Sequence, residues 1–245
     1  MKRRVLNIFR FFLFTLLAVG AFVLLLFVFQ IKDPITEEDK IYAVKILADA
    51  HVTPPVGRLS YPEQIVFIQQ VQKAVEHFGY SLHGIPYNHT RDLKDYYENP
   101  YGLCYDKSHA IEKILRVYNF QTRHISVYYY SNFLERVFCF FIPNSPSHAA
   151  TEVKTARGWM YVDSIVGYTG LDSNGMPLNI KEVRKHIRDG KVTYEGLGLF
   201  DFSGEFTFLY GMYSRNGKLY PPYNFIPDYC FSELLYNLSN GEENF

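Results

Sequence analysis

The first thirty residues of the chain differ from the rest in their pattern of hydrophobic and polar positions. From Phe11 to Phe29 there is no charged residue, and Thr15 is the only polar side chain. A run of this length is close to the ~20 apolar residues that a helix needs to cross the ~30 Å core of a bilayer. The pattern therefore predicts a single transmembrane helix within residues 1–31.

Charged residues on the two sides of this span predict its orientation. The basic residues Lys2, Arg3, Arg4 and Arg10 precede it, and acidic residues begin at Asp33. Positive charge favours the cytoplasmic side. We therefore expect a single-pass protein of the cytoplasmic (inner) membrane with its N-terminus inside, which places the remaining chain in the periplasm or outside the cell.

Two other interpretations of the apolar segment compete with a retained anchor. A cleaved signal peptide also begins with a basic region, but its apolar core is usually about 7–15 residues and ends at a small-x-small cleavage site. The sequence from Phe27 to Lys32 has no such site. A buried core helix is the other alternative, and so many large apolar residues at the extreme N-terminus disfavour it.

Polar and apolar positions after the span predict a tether followed by one folded domain. Residues 32–59 read as a tether with a short helix that Thr36 can cap, and residues 60–245 as the domain. Ser60 and Glu63 form a capping-box pattern before an apolar stripe that stops at Gly79. A second helix follows Cys104, for which Asn119 is a plausible left-handed end.

The period of the pattern then changes from helical to alternating. Four segments rich in β-branched and aromatic residues predict an antiparallel sheet: Thr122–Tyr130, Arg136–Ile142, His148–Thr155 and Trp159–Ile165. A short helix is expected from Asn179 to Arg188, a hairpin arm from Asp201 to Tyr213, and a tail from Tyr220 that wraps the domain. Together these elements predict an α+β fold.

Charge and cysteine content narrow the classes of function. Setting aside the four basic residues before the span leaves 21 lysines and arginines against 25 aspartates and glutamates, a net charge of −4. Nucleic-acid binding therefore has no electrostatic support. The three cysteines cannot all pair with one another, and a bridge between Cys139 and Cys230 would leave Cys104 as a thiol.

Three residues have the types and the order required for nucleophilic catalysis. Cys104 precedes a helix, where the dipole favours the thiolate that attacks amides. His148 can serve as its base, and Asp163 can orient the imidazole. A hairpin reversal centred between Thr155 and Ala156 would place His148 opposite Asp163; a reversal one residue later would make them diagonal neighbours on the same face. A half-step shift would separate them.

The sequence around these residues resembles the transglutaminase-like superfamily, whose members share a papain-like core. The resemblance rests on Gly102-Leu103-Cys104 before a helix, on Ser147-His148-Ala149, and on Gly158-Trp159 leading to Val162-Asp163-Ser164, and it covers about residues 63–166. Ala150 and Tyr105 depart from the residues common there, which affects the expected shape of the substrate groove more than the chemistry.

The resemblance implies that a nucleophile helix packs on an antiparallel sheet and that Cys104, His148 and Asp163 form a catalytic triad. The implied activity is a cysteine protease, amidase or transamidase that acts on peptide or isopeptide amides through a thioester, with hydrolysis favoured over cross-linking. The expected partners are a peptide or protein substrate and the membrane. An oxyanion donor would be the backbone amide of Cys104, helped by Tyr97, Asn99 or Tyr101.

No cofactor or metal is required by the triad. Calcium assists some members of the superfamily, and the acidic loop around Asp92 and Asp95 keeps calcium open as an alternative. Cys104 and His109 lie about 140° apart around a helix and do not share a face, which argues against a catalytic metal.

Non-catalytic interpretations stay open at this point. Cys104 could be an ordinary buried cysteine, His148 an ordinary strand histidine and Asp163 a turn residue. The domain could then be a non-catalytic module that binds or organises cell-envelope peptides or polymers. It could also be a structural component of a polysaccharide or secretion apparatus.

Overall fold

A computed structural model gives the structure of the chain. It describes residues 2–78, 83–85, 91–99, 101–130, 132, 134–135, 139, 145–190, 206–213 and 228–238. The helices are α1 (Lys2–Phe29), α2 (Glu37–Asp49), α3 (Tyr61–Phe78), α4 (Leu93–Glu98), α5 (Cys104–Val117), α6 (Ile180–Arg188) and α7 (Phe231–Leu238). The strands are β1 (Thr122–Tyr129), β2 (Ser147–Thr155), β3 (Gly158–Asp163), β4 (Phe206–Tyr210), β5 (Met212–Tyr213) and β6 (Asp228–Tyr229).

Strands β1 to β4 form an antiparallel sheet in the order β3-β2-β1-β4, and β5 pairs with β6. Side chains alternate between its two faces. One face, with Val153, Met160 and Val162, belongs to a hydrophobic cluster with helices α2, α3 and α5. The other face belongs to a second cluster, which includes Ile180 and Val183 of α6. The sheet is thus covered on both faces, and the predicted mixed α+β architecture is confirmed.

The ends of several elements lie where the sequence pattern predicted them. The Thr36 side chain accepts a hydrogen bond from the Asp39 backbone and caps α2. Asn119, just after α5, has a φ of 65°, the left-handed conformation that ends a helix. Asn179 caps α6. The predicted strand Arg136–Ile142 and the start of the tail at Tyr220 lie outside the described residues, except for Cys139, which is buried.

Asp33, the first acidic residue after the apolar span, contacts helix α5 directly. Its carboxylate lies 2.9 Å from His109 Nε2 and 2.9 Å from Lys113 Nζ, and it also pairs with Arg116. Burial alone would raise the pKa of Asp33, but the hydrogen bond and charge of His109, followed by the two other cations, hold it well below its usual range. The chain is therefore fixed to the domain four residues after α1 ends.

Helix α2 lies within the segment that the sequence analysis assigns to a tether, residues 32–59. Its residues Ala43, Ile46 and Leu47 are fully buried in the helical cluster. Asp39, also buried, accepts a hydrogen bond of 3.0 Å from Lys113 of α5. The domain boundary at residue 60 stays a prediction, but these contacts place part of the 32–59 segment against the helices of the domain.

Candidate active site

Helix α5 begins at Cys104, as predicted, and its first turn is fixed by Asp106. One carboxylate oxygen of Asp106 accepts hydrogen bonds from the backbone amides of Leu103 (3.0 Å) and Ile85 (3.2 Å). The other oxygen pairs with Arg91 Nε at 2.9 Å. Asp106 thereby joins the upstream loop to the start of the helix. Cys104 itself is 9% exposed, so a small approach to its sulfur remains.

His148 and Asp163 lie on the adjacent strands β2 and β3, on the same face of the sheet. Asp163 pairs directly with Ala150, so the hairpin reversal lies one residue later than the position that would oppose the two residues. The second of the two favourable registers is therefore the one present. The side chains bridge the diagonal, and His148 Nε2 lies 2.8 Å from Asp163 Oδ2.

The carboxylate of Asp163 accepts hydrogen bonds on both oxygens. Oδ2 accepts from the Tyr161 hydroxyl (2.9 Å) in addition to its bond with His148. Oδ1 accepts from the backbone amides of Ile165 (2.7 Å) and Val166 (3.0 Å). Because Asp163 is fully buried, these donors compensate for its lost hydration and fix the plane of the carboxylate.

The charge state of His148 follows from its neighbours. Burial alone would lower the pKa of His148, but the charge and hydrogen bond of Asp163, and then those of Cys104, raise it to about 10. Asp163 occupies Nε2, which leaves Nδ1 as the ring nitrogen for the Cys104 side chain. An imidazolium beside a thiol stabilises the thiolate. The arrangement can therefore hold a thiolate–imidazolium pair.

Gln72 of α3 holds the loop that follows Asp163. Its side-chain amide nitrogen donates to the backbone carbonyls of Asp163 (2.9 Å), Val166 (3.0 Å) and Tyr168 (2.9 Å). Gln72 is 1% exposed, so these bonds are made away from water. This single side chain connects α3 to both ends of the loop and so supports the position of Asp163.

Two further ionisable side chains interact with the candidate catalytic residues. Burial raises the pKa of Glu76, on α3, to about 7, and the charge of Asp163 adds to the increase. Lys107 lies one helical turn after Cys104 and is buried. Burial lowers the pKa of Lys107, while Glu76 and then Cys104 oppose that decrease. The region around the sulfur therefore contains charges of both signs.

Two of the three side chains predicted as oxyanion donors make hydrogen bonds to residues other than Cys104. The Tyr97 hydroxyl donates to Asp49 Oδ2 (2.9 Å), and the Asn99 amide donates to the carbonyl of Asp95 (2.8 Å) at the end of α4. Tyr101 is 44% exposed. The backbone amide of Cys104, in the first turn of α5, has no intrahelical acceptor and stays the simplest candidate.

Asp92 and Asp95 are the acidic residues that the sequence analysis considered as a possible calcium site. Their carboxylates make hydrogen bonds at the start of helix α4. Asp92 Oδ1 accepts from the backbone amide of Asp95 (2.9 Å) as the cap of α4. Asp95 Oδ2 accepts from the backbone amide of Arg91 (2.9 Å).

Cys104, Cys139 and Cys230 are all thiols, so the suggested bridge between Cys139 and Cys230 is absent.

A second buried histidine–carboxylate pair lies on the other face of the sheet, between strand β1 and helix α5. His124 Nδ1 is 2.8 Å from Glu112 Oε1, and the ring stacks on Tyr213 at 4.4 Å. Ser108 Oγ lies 3.4 Å from the same ring nitrogen and 2.8 Å from Thr151 Oγ1. Sequence reasoning missed this pair.

Sequence reasoning also missed the residues that surround the candidate site. Tyr161 could have been found, because it lies two positions before Asp163 on a predicted strand and must share its face. Gln72, Glu76 and Lys107 gave no such signal, since their proximity to Asp163 and Cys104 depends on how α3 packs against α5.

A helix that begins at a cysteine, packed on an antiparallel sheet with a bonded histidine–aspartate pair, defines a protein with a papain-like core. Residues 60–164 match the family model of the transglutaminase-like superfamily core, so the chain contains a transglutaminase-like domain. The resemblance and the fold class inferred from the sequence are both confirmed. No curated protein and no solved structure matches the chain.

The region before this domain contains one helix that is long and apolar enough to span a membrane. The candidate span covers Asn7–Phe29, with a mean hydropathy of 2.9, and none of its most apolar part is buried within the protein. The N-terminal helix is thus compatible with membrane anchoring.

Proposed function

We propose that this chain is a membrane-anchored cysteine acyl-transfer enzyme that acts on peptide or isopeptide amides. The observation that supports the proposal best is the 2.8 Å contact between His148 Nε2 and the buried carboxylate of Asp163, in a site where the Cys104 side chain at the start of α5 also contributes to the raised pKa of His148. The match to the transglutaminase-like superfamily adds support, because that superfamily includes enzymes with this chemistry.

In the acylation step, the Cys104 thiolate attacks the amide carbonyl carbon and a carbon–sulfur bond forms. The negative oxygen of the tetrahedral intermediate accepts a hydrogen bond from the Cys104 backbone amide. The His148 imidazolium gives its proton to the leaving nitrogen as the carbon–nitrogen bond breaks. An amine leaves, a thioester remains, and His148 becomes neutral.

In the deacylation step, neutral His148 takes a proton from the acceptor. Attack on the thioester carbon forms a new bond, breaks the carbon–sulfur bond and restores the thiolate–imidazolium pair. Water gives a carboxylic acid, and an amine gives a new amide. We favour water, because it is the acceptor that is always present. Asp163 stays ionised throughout and stabilises the imidazolium.

The proposed location is the outer side of a cytoplasmic membrane. Basic residues before the apolar span and acidic residues after it favour an N-terminus inside the cell. Cys230, which is partly exposed, offers a test. A membrane-impermeant maleimide should label Cys230 in intact cells, whereas labelling only after permeabilisation would place the domain in the cytoplasm.

The catalytic proposal is tested with the full-length protein in vesicles. Iodoacetamide at pH 7 should alkylate Cys104 faster than Cys139 or Cys230, as read by peptide mapping. Peptide and isopeptide amides supplied with hydroxylamine should then give hydroxamate and free acid, whose ratio reports the preference between amine and water acceptors.

Two variants complete this experiment. Cys104→Ala should abolish both products, and the matched Cys230→Ala variant should retain them. Equal alkylation of the three thiols together with no product from any amide would favour the non-catalytic binding module. Product formation by Cys104→Ala would overturn the assignment of the nucleophile.

A further inference from the structure

The C-terminal helix α7 lies directly against the last turn of the candidate membrane span. The Tyr229 hydroxyl donates to the carbonyl of Leu26 (2.9 Å), and the Phe231 amide donates to Gln30 Oε1 (3.1 Å). The rings of Phe27 and Phe231 are 4.4 Å apart. The start of α7 therefore lies at the level where α1 leaves its apolar environment.

Polar residues of α7 attach one of its faces to the domain. Glu233 Oε2 accepts from the backbone amide of His124 (2.8 Å), and Oε1 accepts from the Tyr213 hydroxyl (2.9 Å). Asn237, one turn later, accepts from the backbone amide of Tyr210 (3.0 Å) and donates to its carbonyl (3.1 Å). These bonds fix the rotation of the helix about its own axis.

The opposite face of α7 carries large apolar side chains. Phe231, Leu235 and Leu238 recur at positions i, i+4 and i+7, which places them on one face. Leu235 is 45% exposed and Leu238 is 80% exposed. A helix on the surface of a water-soluble protein normally directs such a stripe toward the core. In α7 the polar residues face the domain and the apolar residues face outward.

We propose that α7 lies in the membrane interface, with Phe231, Leu235 and Leu238 in contact with the lipid bilayer. The occupant of this face follows from continuity, since the stripe begins at the residue that packs on Phe27 of α1. Helices of this type place their apolar face about 5–10 Å into the boundary between headgroups and acyl chains. The inference rests on the proposed anchoring by α1.

The charges of α7 agree with this placement. Its one ionisable acid, Glu233, is directed at the domain, and the helix has no lysine or arginine. No charge on the outward face opposes insertion, and the contact depends on apolar area alone. Tyr229 precedes α7, and its hydroxyl donates to the carbonyl of Leu26. Tyrosine is enriched at membrane interfaces because its side chain is apolar along the ring and polar at the hydroxyl.

The test measures the lipid exposure of α7 in the full-length protein. Leu238→Trp and the control Val56→Trp would be compared in phosphatidylcholine vesicles whose acyl chains carry bromine at carbons 6 and 7. Val56 is 98% exposed and lies in the loop between α2 and α3. Wild-type protein, which has the single tryptophan Trp159, supplies the background signal.

Bromolipid should quench the added fluorescence of Leu238→Trp at least twofold and leave that of Val56→Trp nearly unchanged. Circular dichroism and thermal unfolding should match wild type, because both substitutions replace exposed side chains. Equal quenching of the two variants, or a Leu238→Trp signal that is unquenched while chemical cross-linking captures a dimer through α7, would overturn the proposal.

Flotation of the vesicles separates this inference from the anchoring on which it rests. Protein that floats with vesicles but shows no quenching at position 238 would refute the interfacial helix and leave α1 as an anchor. Protein that does not float after reconstitution would refute both. The acyl-transfer assay reads neither property, so its outcome is independent.

Discussion

The described part of the domain contains two buried histidine–carboxylate pairs on neighbouring strands, and the carboxylate meets a different ring nitrogen in each. His148 meets Asp163 through Nε2, and His124 meets Glu112 through Nδ1, both at 2.8 Å. In the first pair, the carboxylate holds Nε2, so Nδ1 is the ring nitrogen that can exchange a proton with the candidate nucleophile. In the second pair, Glu112 and Ser108 approach the same nitrogen.

This difference decides what each imidazole can do. A base must accept a proton on one nitrogen while the other is held by a hydrogen-bond acceptor. His124 cannot do so for Ser108, whose hydroxyl also donates to Glu112 Oε1 at 3.2 Å and is completely buried. Residue types alone would make Ser108, His124 and Glu112 a triad. The geometry instead makes them a structural cluster that connects α5 to the sheet.

The largest expected effect separates the two histidines. His148→Gln should lower acyl-transfer turnover by ~10³-fold or more, because it removes the proton carrier. It should also slow Cys104 alkylation at pH 7 by ~10-fold or more, since no imidazolium then stabilises the thiolate. His124→Gln should change the alkylation rate less than ~3-fold. Similar losses in both variants would contradict the distinction.

The carboxylates should follow the same division with a smaller effect. Asp163→Asn should also reduce turnover, but the variant should stay ~10–100-fold more active than His148→Gln, since the orienting group contributes less than the base. Glu112→Gln should retain turnover but lower the free energy of unfolding by ~3 kcal/mol, because His124 loses its buried partner. Rates from steady-state kinetics and stabilities from urea unfolding provide the check. Loss of turnover in Glu112→Gln at unchanged stability would show that the second cluster is part of the site.

His148 and Glu233, whose carboxylate accepts a hydrogen bond from the backbone amide of His124, should also lose their contributions to stability in different pH ranges. The raised pKa of His148, about 10 against 6.5, means that its pairing contributes fully below pH 6.5 and is lost as the pH rises to about 10. The pKa of Glu233 is raised to about 7 against 4.5, so the folded protein favours its protonated form. Its contribution to the free energy of unfolding is therefore lost as the pH rises from 4.5 to about 7.

Urea unfolding across pH 4 to 10 tests these ranges in detergent. On a scale of ~1.4 kcal/mol per pKa unit, each decrease should amount to a few kcal/mol. His148→Gln should flatten the curve only above pH 6.5, and Glu233→Gln only below pH 7. A variant that flattens the wrong range would refute the corresponding pKa shift.

The smallest expected effect concerns hydroxyl donors. Tyr161→Phe removes one donor from Asp163 and should lower turnover by at most ~10-fold, the equivalent of one hydrogen bond of ~0.5–1.5 kcal/mol. The matched change at the other cluster, Thr151→Val, should reduce stability by ~1–3 kcal/mol and leave Cys104 alkylation unchanged. Kinetics and unfolding of both variants suffice. A larger kinetic loss in Thr151→Val than in Tyr161→Phe would reverse the comparison.

Local patterns were sufficient to predict the elements that carry Cys104, His148 and Asp163. The stop at Asn119 and the start at Cys104 bound α5, and the two-residue alternation of β2 and β3 gave a common face for His148 and Asp163. These features depend on neighbours in sequence, which is why a single sequence reveals them.

Contacts between distant elements could not be predicted in the same way. The hydrogen bonds from Gln72 to the loop after Asp163, and the surroundings of Glu76, depend on how α3 packs against the rest of the domain. The periodicity of the sequence does not specify that packing. The oxyanion candidates were chosen by sequence distance from Cys104, and the structure directs the hydroxyl of Tyr97 toward Asp49 instead. The 32–59 segment appeared loosely periodic, yet α2 contributes fully buried residues to the core.

The ion pairs of Asp33 also limit how far the domain can move from the end of α1. A flexible linker would let an anchored domain move away from its transmembrane helix by a distance that grows with the number of linker residues. In this protein, contacts with the domain begin at Gln30 and Asp33, so there is almost no flexible linker. On a membrane, the domain would turn only when the helix turns. Encounters would then depend on lateral diffusion in two dimensions, and substrates would have to reach a fixed height above the lipid.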